Sequence, residues 1–418
     1  MYGIDFGTSN TVLTAREGGR TRLLDLGEGG VVPSLLYFER DRRASVGHAA
    51  ASDYAAALER WKGERDLYER FRFFQALKLA LKDPLYEGTT VFGERFKPEA
   101  LAGIFLRELK RRADAACGTE AEEVVLGRPV TLASDGAEDA RLEGRFRAAA
   151  ELAGFSKVAF VPEPVGAATS LLGRHSGIVL VFDFGGGTLD VTVARMGTDS
   201  IEPLANAGID LGGYLLDEDL SRARVIRHFG SEGKIRTMKG SWLDMPSWFT
   251  KQVASFHALP LADLARTRMS IREVLAEVRP IDKPKLRGLL DFIDRNLGFR
   301  LFERIDEAKI RLSSEDAAEI AFEVPPHVSF RERVGLAEFE ALAAPRVEAA
   351  RALVLSALAK AGLEAGEVGK VVRVGGSCRI PAFIRMLDSL FPGRVEEGEV
   401  FTSIAAGLLE AHERGLSC

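Results

Sequence analysis

Two short segments of this 418-residue chain make the same chemical offer. Ile4-Asp5-Phe6-Gly7-Thr8-Ser9-Asn10-Thr11 is echoed by Phe182-Asp183-Phe184-Gly185-Gly186-Gly187-Thr188. In each, an apolar run ends in Asp-Phe-Gly, small and hydroxyl residues follow, and a second β-prone run begins (Val12-Leu13-Thr14, Val191-Thr192-Val193). Glycine removes a Cβ, so backbone N–H groups can approach a ligand closely and the turn can take positive φ. Successive N–H groups in such a turn form a concave anion site, and Thr8, Ser9 and Asn10 add polar side chains there. A carboxylate just upstream cannot bind phosphate directly. Its natural partner is a hydrated divalent cation, and Mg²⁺ keeps several waters while carboxylates and substrate phosphates hold it. Asp5 and Asp183 facing each other across a cleft would supply that cation site, with Gly185, Gly186 and Gly187 offering a second phosphate cradle. Either segment alone also suits a structural hairpin. The matched pair, followed by glycine turns at Leu211-Gly212-Gly213 and Val374-Gly375-Gly376-Ser377, favours function.

The elements that must position these turns alternate. Short β-rich runs (Val124–Leu126, Val158–Val161, Ile178–Phe182, Val191–Ala194, Val371–Val374) are separated by helical stretches at Glu138–Ala153, Leu216–His228 and Ala337–Ala361. This pattern predicts α/β layering. Between about Ser231 and Phe302 the β signal lapses, which predicts an inserted subdomain of helices and loops. The two Asp-Phe-Gly segments lie too far apart for a tandem solenoid. A duplicated lobe with one hairpin per half explains them better.

Bulk properties narrow the function classes. A chain of this length exceeds one ordinary hydrophobic core. The formal net charge of -5 argues against nucleic-acid binding through bulk electrostatics. Arg107–Arg112 reads as a solvated helix face, because Glu108 interrupts it. Cys117, Cys378 and Cys418 lie far apart with no C-x-x-C spacing, which suits a reducing compartment and no zinc site. No apolar run is long enough for a bilayer and the N-terminus enters a strand at once, so the reading is a cytoplasmic protein without membrane insertion.

I-D-F-G-T-S-N-T, F-D-F-G-G-G-T-L-D-V-T-V and V-G-G-S-C-R-I-P resemble the two phosphate motifs and the adenosine motif of the seventy-kilodalton heat-shock ATPases, within the wider actin and sugar-kinase superfamily. Glu163–Thr169 resembles that family's first interlobe connecting helix, Asp210–Asp217 its L-G-G-x-x-F-D segment, and Asp306–Ser314 the stretch that holds ribose and adenine. The implied fold is α/β and actin-like, with two pseudo-symmetric, ribonuclease H-like lobes around a nucleotide cleft. Lobe I would comprise 1–172 with 395–418 and an insertion at about 38–99. Lobe II would comprise 173–394 with a mostly helical insertion at about 217–332.

The resemblance also implies roles, with ATP or ADP and Mg²⁺ as cofactors. Asp5 and Asp183 match the carboxylates that orient the Mg²⁺ water shell, and Gly7, Thr8, Ser9 and Asn10 the first phosphate loop. Lys78 matches a lysine near the γ-phosphate, while Glu163, Thr188 and Asp190 match the hydrolytic network. Gly212, Gly213, Gly375, Gly376 and Ser377 match phosphate and ribose contacts. Asp306, Lys309 and Ser313 match ribose and base contacts, and Arg379 the arginine that stacks on adenine. Plainer readings stand beside these. Lys78 suits a solvated helix, with Lys82 at i+4; Glu163 suits a helix cap; Arg379 suits pairing with a surface acid. Pro129 corresponds to the family's switch proline, without its aromatic sequel.

Two departures set further expectations. Val400–Gly407 lacks the acidic pair that usually opens the family's second connecting helix. The sequence stops at Cys418, which suggests a short member without an intrinsic peptide-binding domain, acting on an unidentified protein partner. The aromatic-rich Tyr68–Phe74 stretch would then meet a partner or a neighbouring subdomain. A small-molecule kinase, an actin-like filament ATPase and a catalytically quiet scaffold share the same framework.

Overall fold

The computed structural model describes residues 1–27, 29–40, 44–130, 136–237, 239–246, 248–249, 254–255, 264–398 and 403–417. Two mixed sheets dominate, and they share one topology. In the first, Tyr2–Phe6 pairs antiparallel with Asn10–Glu17, which pairs antiparallel with Arg20–Leu23. On its other side Tyr2–Phe6 runs parallel to Glu123–Arg128, and that strand parallel to Lys157–Pro162. The second sheet repeats the order with Gly177–Phe184, Leu189–Met196 and Ile201–Ile209 antiparallel, then Lys370–Val374 and Val395–Glu397 parallel. Continuous apolar strands such as G-I-V-L-V-F-D-F form here because both faces of the sheet are covered. The expected duplication is therefore a duplicated sheet.

Two helices pack between the sheets, Glu163–Thr169 and Ser403–Glu413. Val165 and Ala168 from the first join Ile404 and Leu408 from the second, together with Val125, Val181 and Val372 of the sheets, in one buried cluster. The helices cross at Gly166 and Gly407, where a Cβ on Gly407 would fall 1.8 Å from the Gly166 carbonyl oxygen. Backbone cannot retreat as a flexible side chain can. Gly407→Ala should therefore cost at least the ~1–3 kcal/mol typical of core overpacking. An unchanged denaturant midpoint would show that the crossing is loose.

The sequence boundaries need correction in three places. Val395–Glu397 extends the second sheet, so that lobe runs past residue 394. The insertion expected to be helical to about 332 ends inside a hairpin, Ala317–Val324 with Val328–Gly335, whose residues alternate buried and exposed. Between Ser231 and Phe302, Lys234–Arg236 pairs with Trp242–Asp244. Those strands have three residues each, too short to show a period. The helices Leu264–Glu277, Lys283–Asp294 and Gly298–Arg311 agree with the expected character of that insertion.

The insertions of the two lobes meet. Tyr68–Phe74 is a short 3₁₀ turn followed by the strand Phe71–Phe74. Its Phe73 ring lies 4.5 Å from that of Phe299, and Tyr54 donates a hydrogen bond to the Asn296 carbonyl at 2.8 Å. Arg268 lies 2.5 Å from Asp66 in the first lobe and 2.7 Å from Asp294 in its own, and donates a hydrogen bond to the Tyr68 hydroxyl. Arg65 reaches buried Asp291 at 2.9 Å. The aromatic stretch is thus a joint between subdomains.

Arg107–Arg112 lies on the helix Pro98–Cys117, where Glu108 pairs with Arg111 and Arg112, as a solvated face requires. Cys117 and Cys378 are free thiols. Among the described residues no helix is long and apolar enough to cross a membrane. Cys418 and Val400–Thr402 of the second connecting segment lie outside the described residues.

Candidate functional site

The two Asp-Phe-Gly turns touch. A Cβ on Gly187 would fall 2.3 Å from Thr8 Oγ1, and one on Gly186 would fall 2.7 Å from Ser9 Oγ. Glycine at both positions lets the loops approach this closely without displacing the two hydroxyls. None of Gly7, Gly185, Gly186 and Gly187 has positive φ, so the anticipated left-handed turn is not the reason for glycine there. Close approach is. Between and beside the turns lies a cavity of about 310 Å³.

Register explains the acids at its floor. Asp183 is the direct cross-strand partner of Asp190, whereas Asp5 sits opposite Val12. Like charges directly opposite one another destabilise a sheet, so the Asp183–Asp190 pair is a cost unless a cation offsets it. Asp190 Oδ1 accepts a hydrogen bond from the Val130 N–H of the first lobe at 2.9 Å. Its Oδ2 is buried with no hydrogen-bond partner.

Lys78 and Glu163 complete this floor. Lys78, on the six-residue helix Leu77–Lys82, is 3% exposed and forms an ion pair with buried Glu163 at the start of its helix. Neither the solvated-lysine nor the simple-cap reading describes them. Lys82, one turn on, instead pairs with Asp210 of the second lobe. Burial works to discharge Lys78, but Glu163 and Asp5 outweigh it and hold the ammonium above its ordinary pKa. Burial and then Glu163 push Asp5 up to about 7. Burial, Glu163 and Asp190 raise Asp183 well above the carboxylate range, and burial with Glu163 brings Asp190 to about 6. Four acids share one lysine.

A divalent cation suits this excess of negative charge. Among the described residues, no three His, Cys, Asp or Glu side chains converge closely enough to grip a bare ion. The orphaned Asp190 oxygen and the uncompensated Asp5 and Asp183 fit an ion that keeps its waters. The residues present therefore fit hydrated Mg²⁺.

The other end of the cavity is built from the helix Gly298–Arg311 and the 3₁₀ turn Gly376–Arg379. Lys309 bonds Asp217 and Asp306, each at 2.8 Å. Burial raises Asp217 to about 7, against the pull of Lys309. Ser313, Gly375, Gly376 and Ser377 line the same space, and Ser377 Oγ donates to the Gly185 carbonyl at 2.9 Å. Arg379 lines it too, and its guanidinium bonds Glu397 at 2.7 Å, so the expected pairing with an acid is present at the cavity wall. Asp190, Gly212 and Gly213 sit one layer behind the wall. Gly212 lies against the Gly186–Gly187 backbone, and the Gly213 N–H donates to the Gly185 carbonyl at 3.0 Å.

The family model described as Hsp70 protein matches residues 1–241 and 290–400. The chain belongs to the Hsp70 family. Its α/β architecture is the actin-like ATPase fold of that family, whose members are ATPases. It is 27% identical to the chaperone protein DnaK of Deinococcus deserti, covering 99% of this chain and 59% of that protein. It is 28% identical to the DnaK of Thermus thermophilus, covering 99% of this chain and 61% of that one. It is 25% identical to the chaperone protein dnaK1 of Synechocystis, covering 54% of the latter. The chain thus spans a little over half the length of the curated relatives it matches.

Within this Hsp70 chain, sequence reasoning missed two kinds of residue. Asp217, which anchors Lys309, lay inside the quoted D-L-G-G-Y-L-L-D segment without a role; the visible signal was an acid one helical turn after Gly213. The apolar lining, Val12, Ile310, Ile380 and Ile404, had no role either. For Ile310 the signal was an isoleucine inside the charged run D-E-A-K-I-R.

Proposed function

We propose that this chain binds ATP and ADP with Mg²⁺ in the interlobe cleft, hydrolyses ATP slowly, and acts as a nucleotide-gated regulator of a protein partner. The observation that carries this reading is the buried Lys78–Glu163 pair, set among Asp5, Asp183 and Asp190 at the floor of the cavity between matched hairpins. Phosphoryl transfer to water asks little covalent work of a protein, so positioning and charge stabilisation carry the rate. In this reading the Thr8–Asn10 and Gly185–Gly187 loops hold the phosphates. Glu163, Thr188 and Asp190 order the attacking water in line with the terminal phosphate. The Lys78 ammonium offsets charge that develops on the phosphate oxygens. Bound Mg²⁺ supplies further neutralisation of the phosphates. In the same reading Asp306 and Lys309, which bonds Asp217 and Asp306 at 2.8 Å, take the ribose.

Calorimetric titration with ATP, with and without Mg²⁺, followed by phosphate-release assays, tests the proposal. The expected result is Mg²⁺-dependent binding and turnover well below the ~10 per second of a median enzyme. A chain that neither binds nor hydrolyses ATP would overturn it. Pull-downs in ATP and in ADP test the partner: a gated partner is retained in one state only, because a ligand shifts a conformational equilibrium only through differential affinity.

The subdomain joint makes a separate prediction about release. Arg268 lies between Asp66 and Asp294, although its 2.7 Å contact to Asp294 lacks hydrogen-bond geometry. Nucleotide that leaves by parting the insertions must break this contact. Arg268→Ala should speed dissociation of a fluorescent ATP analogue about tenfold, equivalent to ~1.4 kcal/mol on the barrier. Stopped-flow displacement measures it, and an unchanged off-rate would mean that nucleotide leaves by another route.

A further inference from the structure

The helix Leu77–Lys82 carries two lysines, and they anchor it in different directions. Lys78 pairs with Glu163 of its own lobe, whereas Lys82 crosses to Asp210 of the second. Six residues are too few to hold a helix by themselves. Leu77, Ala80 and Leu81 fix one face in the core of the first lobe. At its start Ala76, with φ of 57°, breaks it from the preceding strand. Lys82 is its last residue, so the cross-lobe pair ties down the far end. The lysine is 7% exposed and the aspartate 68%.

Asp210 in turn leads directly into the support of the second glycine turn. The Gly213 and Tyr214 N–H groups just after it donate to the Gly185 and Gly186 carbonyls, both at 3.0 Å. Leu79, between the two lysines, faces the same turn, since a Cβ on Gly187 would fall 3.0 Å from its Cδ2. Neither Lys82 nor Asp210 is among the residues that line the cavity. We propose that Lys82 and Asp210 are a positioning pair that sets Lys78 against the Gly185–Gly187 turn, and so governs the rate of hydrolysis rather than the affinity for nucleotide. The inference rests on the ATPase reading above and adds to it a contact between the lobes outside the cavity. A group misplaced by 1 Å can cost about a hundredfold in rate. A helix that keeps its core anchors moves less, which sets the expected loss at about tenfold.

Single-turnover hydrolysis of ATP with Mg²⁺ tests this on the full chain through a double-mutant cycle. Lys82→Met and Asp210→Asn should each slow the step about tenfold and leave equilibrium ATP affinity within about threefold of wild type. The double variant should be no slower than Lys82→Met alone, because either substitution removes the same contact. Lys82→Arg, which can still reach Asp210, should restore most of the rate. Lys82 has a second influence: burial and Glu163 raise Asp190, and the Val130 N–H and Lys82 draw it down. Asp210→Asn separates the two effects, since it leaves the lysine in place, and its exposed site leaves folding intact.

A wild-type rate in Asp210→Asn would overturn the proposal. So would losses in the single variants that multiply in the double, because they would act independently. A lower denaturant midpoint with normal hydrolysis by the ATP-bound protein would make the pair merely structural, and the proposal would fall. If the wild-type chain itself hydrolyses no ATP, the ATPase reading fails and this inference goes with it.

Discussion

Lys78→Ala is expected to lower the single-turnover rate of ATP hydrolysis by about 10²–10³, the scale seen when one preorganised charge-stabilising donor is removed. ATP affinity should change only a few-fold, because the loops around Thr8–Asn10 and Gly185–Gly187 and the ribose end remain. The same substitution strands Glu163 among Asp5, Asp183 and Asp190 with no cation beside it. Removing one partner of a buried pair costs about 3–5 kcal/mol, so the midpoint of unfolding should fall as well. Glu163→Gln placed on top of Lys78→Ala removes the stranded charge and should recover much of that stability without recovering the rate. That split separates a catalytic lysine from a structural one. If Lys78→Ala hydrolyses ATP at the wild-type rate, the assignment is wrong.

Asp5→Asn and Asp183→Asn should each abolish most of the gain in ATP affinity that Mg²⁺ provides, at least tenfold in titrations with and without chelator. They should also make the metal-free protein more stable. An acid whose folded pKa is raised costs stability once the pH exceeds its unfolded value. For Asp5 the penalty opens near the ordinary 3.8 and is complete above about 7. Asparagine carries no such penalty, so at neutral pH without metal both variants should melt higher than wild type. Gain of stability with loss of metal response is the signature of a cation site. Variants that keep the full Mg²⁺ response would sink the metal assignment, falsifying the role read from the Asp-Phe-Gly repeat.

Other parts of the site were open to local reasoning because their signals are local. Asp-Phe-Gly followed by small residues states its turn chemistry within eight positions, and the repeat at Asp183 states it again. Gly375–Ser377 and Asp306–Ser313 likewise sit in short segments whose composition departs from their surroundings. Lys78 shows where such reasoning stops. It shares a six-residue helix with Lys82, one turn away on the same face, and composition ranks neither above the other. Packing sends Lys78 to Glu163 and Lys82 across the cleft to Asp210.

The sequence alone determined the duplicated hairpins, the alternation of strands and helices, and the residue types available to phosphate and cation. These depend on a chain's nearest neighbours and on the period of its apolar positions. Tertiary structure decided which acids share one lysine, that Asp183 stands directly opposite Asp190, and that Val395–Glu397 closes the second sheet. It also decided that Tyr68–Phe74 joins the other lobe's insertion through Phe299 and Arg268. Each of those outcomes pairs residues distant in sequence, and some use strands of only three residues. No local propensity encodes such a pairing; it follows from the register and packing of whole sheets, which bring Asp5 and Asp183 to one floor and leave Ile310 uncovered at its rim.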